Sequence, residues 1–268
     1  MKKIGFIGAG NMATAIINGL IGNKAALPGN INVFDLDGEK LDAMSKKGVN
    51  TMPDGGSVVL NSDIIVLAVK PQNYAEVLAE LKESVQDGKV FVSIAAGISI
   101  DYVRQGLGSN CPVVRVMPNT PLLLGKGATA LCPSENISDD DFETVKNMFA
   151  LGGVTEVITE EHMNEIISVN GSSPAYIYLF AKVMADYAKS CGIEYDKAMN
   201  LICATLAGSA EMLKSSGDSA ETLIEKVSSK GGTTIAALDK LREYKFEEAV
   251  TAAMQACTKR AEELGSQF

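Results

Sequence analysis

Histidine occurs once in this chain, at His162, and tryptophan not at all. A single imidazole excludes an H-E-x-x-H metal site and any scheme that needs two imidazoles. The plain reading of His162 is a polar residue at a helix start. The five cysteines, Cys111, Cys132, Cys191, Cys203 and Cys257, form no C-x-x-C pair. Neither a disulfide framework nor a thiolate zinc site is therefore expected, no metal is expected, and the compartment is read as reducing. Positive charge is short as well. With 24 Lys and Arg against 33 Asp and Glu the net charge is −9, and no basic run is available to neutralise phosphates, which excludes nucleic acid as an expected partner. Internal repeats, low-complexity segments and flexible linkers are also missing.

One long uncharged run exists, from Ile4 to Asn23 after "MKK". It has the outline of a signal peptide or a membrane span. Gly5, Gly8, Gly10, Gly19 and Gly22, with Asn11 and Asn18, make it a poor continuous apolar helix. The chain is accordingly read as cytoplasmic, with no membrane partner. At 268 residues, 46% hydrophobic and 21% charged, it can bury the core of one large domain or two ordinary ones.

The first part alternates β-rich runs with helical patterns, as expected of a parallel sheet covered on both faces. "KIGFIG", "INVFD", "DIIVLAV", "KVFVSIA", "PVVRVMPN" and "GATALC" read as strands. Asn11 to Ile21, Gly38 to Lys47 and "AEVLAELKESV" read as helices, and Ser138 caps another that ends at Gly152. Beyond about residue 160 the strand signal stops and long helices follow, one with Pro174 near its start. The fold class is α/β, a Rossmann-type doubly wound sheet over residues 1–160 followed by an all-helical domain over 161–268. The stretch "KAMNLICATLAGSAEML" has no charge between Lys197 and Glu211. A helix apolar on nearly every face needs cover all round, which points to a subunit interface.

"IGFIGAGNMATAI" sets Gly8-Ala9-Gly10 after a strand, with Ala13 at the third small position of the G-x-G-x-x-G/A fingerprint. The first glycine permits the tight turn, the second lets a pyrophosphate approach the backbone, and the third small residue lets helix and strand pack. The helix N-terminus then faces the anion. Ile7, Gly8, Ala9, Gly10, Asn11 and Met12 are the expected cofactor contacts here. Asp35 ends the second strand, where an acid accepts from a ribose 2′-hydroxyl and repels a 2′-phosphate. It leans the choice between NADH and NADPH toward NADH. The other reading of Asp35 is a helix N-cap in "DLDGEK", and Lys40 lies within reach of a phosphate. Ala68, Val69, Lys70 and Pro71 end a buried strand on its carboxyl side, where ligands bind in such sheets.

Three further stretches, "RVMPNTP" (115–121), "NGSSPAY" (170–176) and "SSKGGTTIAAL" (228–238), complete a set with "GFIGAGNM" and "AVKP". With these five ordered motifs the chain resembles the pyrroline-5-carboxylate reductases, from its first strand through "AVTAAMQACTKRAEEL". The resemblance implies reduction of the C=N bond of 1-pyrroline-5-carboxylate by NADPH or NADH, the last step of proline biosynthesis. It also implies a C-terminal dimerisation domain, a homodimer or larger homo-oligomer built from dimers, and an active site completed between subunits. Met117, Pro118 and Asn119 then line the nicotinamide side. The substrate loop is Ser229, Lys230, Gly231, Gly232, Thr233 and Thr234. Glycines let backbone N–H groups turn onto an anion, so the amides of Gly231, Gly232 and Thr233 are candidates for the substrate carboxylate. Thr234 matches the family's substrate threonine, the catalytic residue beside the ring nitrogen. Without a ligand, the same loop reads as a helix N-terminus capped by threonine.

Two positions depart from the family pattern, Lys230 where proline is usual and Ser173 where glycine is usual. One alternative is a β-hydroxyacid dehydrogenase, which uses a lysine after the nucleotide domain; "NGSSPAYIYLF" has none, and Lys182 lies further along. The other is a paralogue that binds a dinucleotide and does no chemistry.

Overall fold

The computed structural model describes residues 2–266. Its strands are β1 (Ile4–Ile7), β2 (Ile31–Phe34), β3 (Asn50–Thr51), β4 (Ile64–Leu67), β5 (Val90–Ser93), β6 (Val113–Met117), β7 (Gly127–Pro133) and β8 (Gly153–Val157); β-branched residues cluster in β1, β2, β4, β5 and β6. They make one sheet in the order β3-β2-β1-β4-β5-β6-β7-β8. All pairings are parallel except β6 with β7. Successive residues of β4 serve opposite cores. Ile64 and Val66 join Ile16, Ile17 and Leu20 on one face, while Ile65 and Leu67 join Leu78 and Val103 on the other. That two-sided burial is why the strand is an uninterrupted apolar run.

The helices of this part are α1 (Asn11–Gly22), α2 (Gly38–Ser45), α3 (Gly55–Leu60), α4 (Tyr74–Leu81), α5 (Ile100–Leu107) and α6 (Asp139–Ala150). Ser138 caps α6 as the sequence predicts, its Oγ accepting from Asp141 N at 3.2 Å. β3, α3, α5 and β8 are additions to the sequence reading. β3 is two exposed polar residues, and β8 carries no buried residue, so neither shows a hydrophobic period. α2 stops at Ser45, two residues short of Lys47. The strand order reverses between β1 and β4, which opens a crevice beyond their carboxyl ends, the usual ligand position in doubly wound sheets.

The chain divides into two compact units. The first runs to Ser172 and takes back the chain from Gln255 onward; the second is Ser173–Met254. Residues 161–172 stay with the sheet because Met163 and Ile167 are buried in its second core. The C-terminal end of the last helix joins the same core through Ala261. The second unit holds α7 (Ser173–Ser190), α8 (Tyr195–Ser215), α9 (Ala220–Lys226), α10 (Thr233–Glu243) and the start of α11 (Phe246–Gly265). Pro174 lies in the first turn of α7, where its missing N–H costs nothing. Ala181, Ala185 and Ile202 form a small core between α7 and α8. Much apolar surface is left outside it: Tyr178 is 62% exposed, Tyr187 72% and Leu201 70%. Among the described residues, no helix is long and apolar enough to cross a membrane.

Candidate active site

The fingerprint turn is held in place before any ligand is considered. Gly8 sits at φ +101°, and a Cβ there would lie 2.7 Å from the Ala68 carbonyl oxygen. Its N–H donates to the Phe34 carbonyl at 2.7 Å. Only glycine satisfies both demands. Gly10 is different: a Cβ on it would meet nothing within 4 Å. The protein's own packing does not require that glycine, whereas an anion approaching the backbone does. Gly10 is also the N-cap of α1 and offers no side-chain cap, and no acid occupies the first turn. The first N–H groups of α1 at Asn11 and Met12 therefore remain for an external acceptor. Ala13, 1% exposed, fills the third small position against the sheet.

Asp35 is a staple for this turn. Its Oδ2 accepts from Ala9 N at 2.7 Å; its Oδ1 accepts from Asp37 N at 2.9 Å and from Lys40 Nζ at 3.4 Å. Partial burial works to raise its pKa, but the Ala9 and Asp37 N–H bonds and the Lys40 charge outweigh that and hold the carboxyl below its ordinary value. The helix-cap reading of Asp35 is corrected: the cap of α2 is Asp37, which accepts from Glu39 N at 3.0 Å. Asp35 faces the fingerprint instead.

Across the switch point, Ala68 N donates to Ile7 O at 2.8 Å, so the ends of β1 and β4 are locked in register. Ala68, Val69 and Pro71 are half-buried and Lys70 is exposed. Beneath them Tyr74, fully buried, donates to Leu67 O at 2.9 Å and lies 3.0 Å from Ser93 Oγ. With the phenol proton committed to Leu67, Ser93 is the donor in the second bond. This pair ties the carboxyl ends of β4 and β5 together, and burial pushes the phenol pKa well up.

Met117, Pro118 and Asn119 leave β6 buried. Both branches of the Asn119 amide bond to protein: Oδ1 accepts from Ala128 N at 2.9 Å and Nδ2 donates to Asn170 O at 3.1 Å. Asn170, in a single π-helical turn (Ile167–Gly171), returns the favour to β6 and β7 by donating to Met117 O at 2.8 Å and Ala128 O at 3.0 Å. Buried Arg115 anchors the approach to that turn through Asn164 Oδ1 at 2.6 Å and Glu160 Oε1 at 3.6 Å. Burial draws its pKa down against the raising effect of Glu160. The sequence reading missed Tyr74, Arg115 and Asn170 as site-shaping residues. Arg115 and Asn170 stand in quoted motifs, but the partners of Asn170 are 42 and 53 residues away and that of Arg115 is 49 away, beyond any local pattern. His162 closes a short 3₁₀ turn (Glu160–His162) rather than starting a helix, and its Nε2 lies 3.5 Å from Glu161.

In the second unit, Gly231 takes φ +76° and Gly232 N donates back to Ser229 O at 2.9 Å. The turn delivers Gly232 to the N-cap of α10 with no side-chain cap. This corrects the threonine-cap reading. Thr233 and Thr234 are the first residues inside the helix, so its leading N–H groups lack a side-chain acceptor. Thr234 is half-buried; Ser229, Lys230 and Thr233 are exposed. The two units thus each present an uncapped helix N-terminus behind a glycine turn. Among the described residues, no group of three or more His, Cys, Asp or Glu could hold a metal.

Known proteins resemble both parts of the chain. A family model described as pyrroline-5-carboxylate reductase dimerisation matches residues 160–264, and one described as NADP oxidoreductase, coenzyme F420-dependent, matches residues 3–97. The pyrroline-5-carboxylate reductase of Escherichia coli K12 is 39% identical over 264 residues, 98% of each chain. Pyrroline-5-carboxylate reductase 2 of Bacillus subtilis is 33% identical, covering 100% of this chain and 97% of its own. Among solved structures, the Plasmodium falciparum pyrroline carboxylate reductase with NADP bound superposes with a TM-score of 0.91 at 30% identity, covering 98% of both chains.

Proposed function

This chain belongs to the pyrroline-5-carboxylate reductase family, and from that premise we propose how its residues divide the work. The activity is reduction of the C=N bond of 1-pyrroline-5-carboxylate to L-proline with NADPH or NADH. The observation that carries the substrate assignment is the Gly231–Thr234 turn: a left-handed glycine, a glycine cap and an uncapped helix N-terminus. Such a turn takes a small carboxylate. The amides of Gly231, Gly232 and Thr233 hold that carboxylate, with Ser229 and Lys230 at the rim. The Thr234 hydroxyl accepts from the ring N–H and so fixes the face of the C=N group.

The fingerprint residues fit a dinucleotide by the same test. The space outside Gly10 and the uncapped start of α1 suit a pyrophosphate. Ile7, Ala9, Asn11 and Met12 surround it, Ala68, Val69, Lys70 and Pro71 flank the next strand end, and Met117, Pro118 and Asn119 close the far side. When bound, the reduced nicotinamide supplies the hydride. The ring nitrogen enters protonated, so no acid–base dyad is needed, and the residues named act by positioning and by excluding water. Asp35 disfavours a 2′-phosphate and supports NADH, while Lys40, ion-paired to it at 3.4 Å, offers a phosphate little free charge.

A homodimer, or a larger assembly of dimers, covers the apolar faces of α7 and α8, and the active site is completed by the partner copy. The exposed Tyr178, Tyr187 and Leu201 support that reading. Five unpaired thiols support a cytoplasmic location. The test is the initial rate of NADH and NADPH oxidation with pyrroline-5-carboxylate for the native chain and Thr234→Ala. Proline-forming turnover that falls about 100-fold in the variant, the usual cost of one transition-state hydrogen bond, supports the assignment. The NADH/NADPH rate ratio decides the role of Asp35. A folded chain that binds either cofactor without turnover would move the assignment to the non-catalytic reading.

A further inference from the structure

Asn170 is 9% exposed, and its side-chain Nδ2 spends its donors on the carbonyls of Met117 and Ala128. Both neighbours are acceptors, so the amide cannot be turned over without facing oxygen to oxygen. Its other branch, Oδ1, is buried and has no hydrogen-bond partner among the described residues. A buried amide oxygen left unpaired keeps its full desolvation cost, and such atoms in native proteins are rare enough to call for an explanation. Asn170 also lies in a π-helical turn, a distortion that often marks functional positions.

The place of this acceptor in the sheet limits what it can meet. The fingerprint after β1 holds the pyrophosphate, and Asp35 at the end of β2 marks the adenosine side. The nicotinamide half therefore runs the other way, over the carboxyl ends of β4, β5 and β6. Asn170 is bonded to Met117, the last residue of β6. A nicotinamide offers one set of N–H donors, its carboxamide NH₂, which is the complement of an amide oxygen.

We propose that Asn170 Oδ1 is the acceptor for the nicotinamide carboxamide N–H, so that one side chain both clamps the β6–β7 exit and reads the end of the cofactor. Asn170 is thus a cofactor-specificity residue. The inference rests on the reading that this sheet binds a nicotinamide dinucleotide. Its role is separable from clamping because Nδ2 performs one task and Oδ1 the other.

The test is calorimetric binding, with no turnover, of NAD⁺ and of 3-acetylpyridine adenine dinucleotide, in which a methyl replaces the carboxamide NH₂. ADP-ribose, which lacks the ring altogether, is the reference, and the 2′-phosphorylated forms of all three are run beside them. The native chain should bind NAD⁺ about tenfold tighter than the acetylpyridine analogue, the order expected of one buried hydrogen bond. In Asn170→Ala that ratio should fall to near one while ADP-ribose binding changes little. Asn170→Ser provides the same comparison where the alanine variant folds poorly, and the native ratio stands without any variant. A native ratio near one, or a ratio that survives in both variants, overturns the proposal; that result fits a purely structural Asn170 or a buried water on Oδ1. Absence of native binding to every one of these ligands overturns the underlying dinucleotide reading as well.

Discussion

Gly8 and Gly10 are two residues apart and are glycine for opposite reasons. At Gly8 a side chain would collide with the Ala68 backbone and strain a left-handed φ; at Gly10 it would enter open space. Gly8→Ala should lower unfolding stability by about 2 kcal/mol or more. Gly10→Ala should cost less than about 1 kcal/mol and instead weaken dinucleotide binding by on the order of tenfold through loss of backbone approach. Denaturant melts and calorimetry on the two variants separate these outcomes, and equal effects on stability would refute the distinction. Asp35 adds a pH prediction. Its folded pKa is lowered, so its contribution is complete above the unfolded value of about 3.9 and is lost as pH falls through the lower folded value. Stability measured from pH 6 downward should drop in that window, and Asp35→Ala should show a shallower drop there because the linked proton uptake is gone. An unchanged acid limb would mean that the Ala9 and Asp37 bonds contribute little.

Elements are coupled by close backbone approach as much as by side chains. The end of α11 lies against the loop after β5: a Cβ on Gly97, at φ +80°, would sit 2.7 Å from Ala261 O and 3.0 Å from Gly265 N. Cys257 Sγ on the same helix is 3.3 Å from Ser172 Oγ. This helix end is thus a buttress for two segments that adjoin the strand ends. Gly97→Ala should cost about 2 kcal/mol through strain and contact, a fall in Tm of roughly 5 °C. Hydrogen exchange should speed up in residues 255–266 of the variant; protection that stays at the native level would show that the approach tolerates a methyl group.

For the molecule as a whole, the division into a sheet unit and a helical unit sets the residues proposed for the cofactor in one and the turn proposed for the substrate in the other. Little of the apolar surface of α7 and α8 is buried within their own unit, where Ala181, Ala185 and Ile202 form a small core with Tyr195, Met199 and Leu206 packed against it. Such faces are stable in water only when covered. Replacing Tyr178 and Leu201 together by glutamate should convert the proposed dimer to a monomer in sedimentation. Turnover should fall at least about 100-fold, as expected when the groups that position the substrate are missing. A monomer with native activity would show that the site is complete within one chain.

The sequence by itself determined the α/β class, the fingerprint turn, the Ser138 cap and the glycine turn ahead of Thr233 and Thr234, though not which residue caps the helix that follows it. Each is written in a local pattern: alternating apolar runs, a glycine spacing, or a cap ahead of a helix. It did not reveal β3 or β8, whose exposed residues carry no period. Nor did it resolve whether Asp35 capped a helix or faced the nucleotide turn. That depended on Ala9, 26 residues away. The return of α11 to the sheet unit, the Tyr74–Ser93 tie and the Asn119–Asn170 clamp were decided only by the tertiary structure. Their hydrogen bonds and backbone contacts join segments that no sequence period links, and only the folded sheet brings the partners to bonding distance.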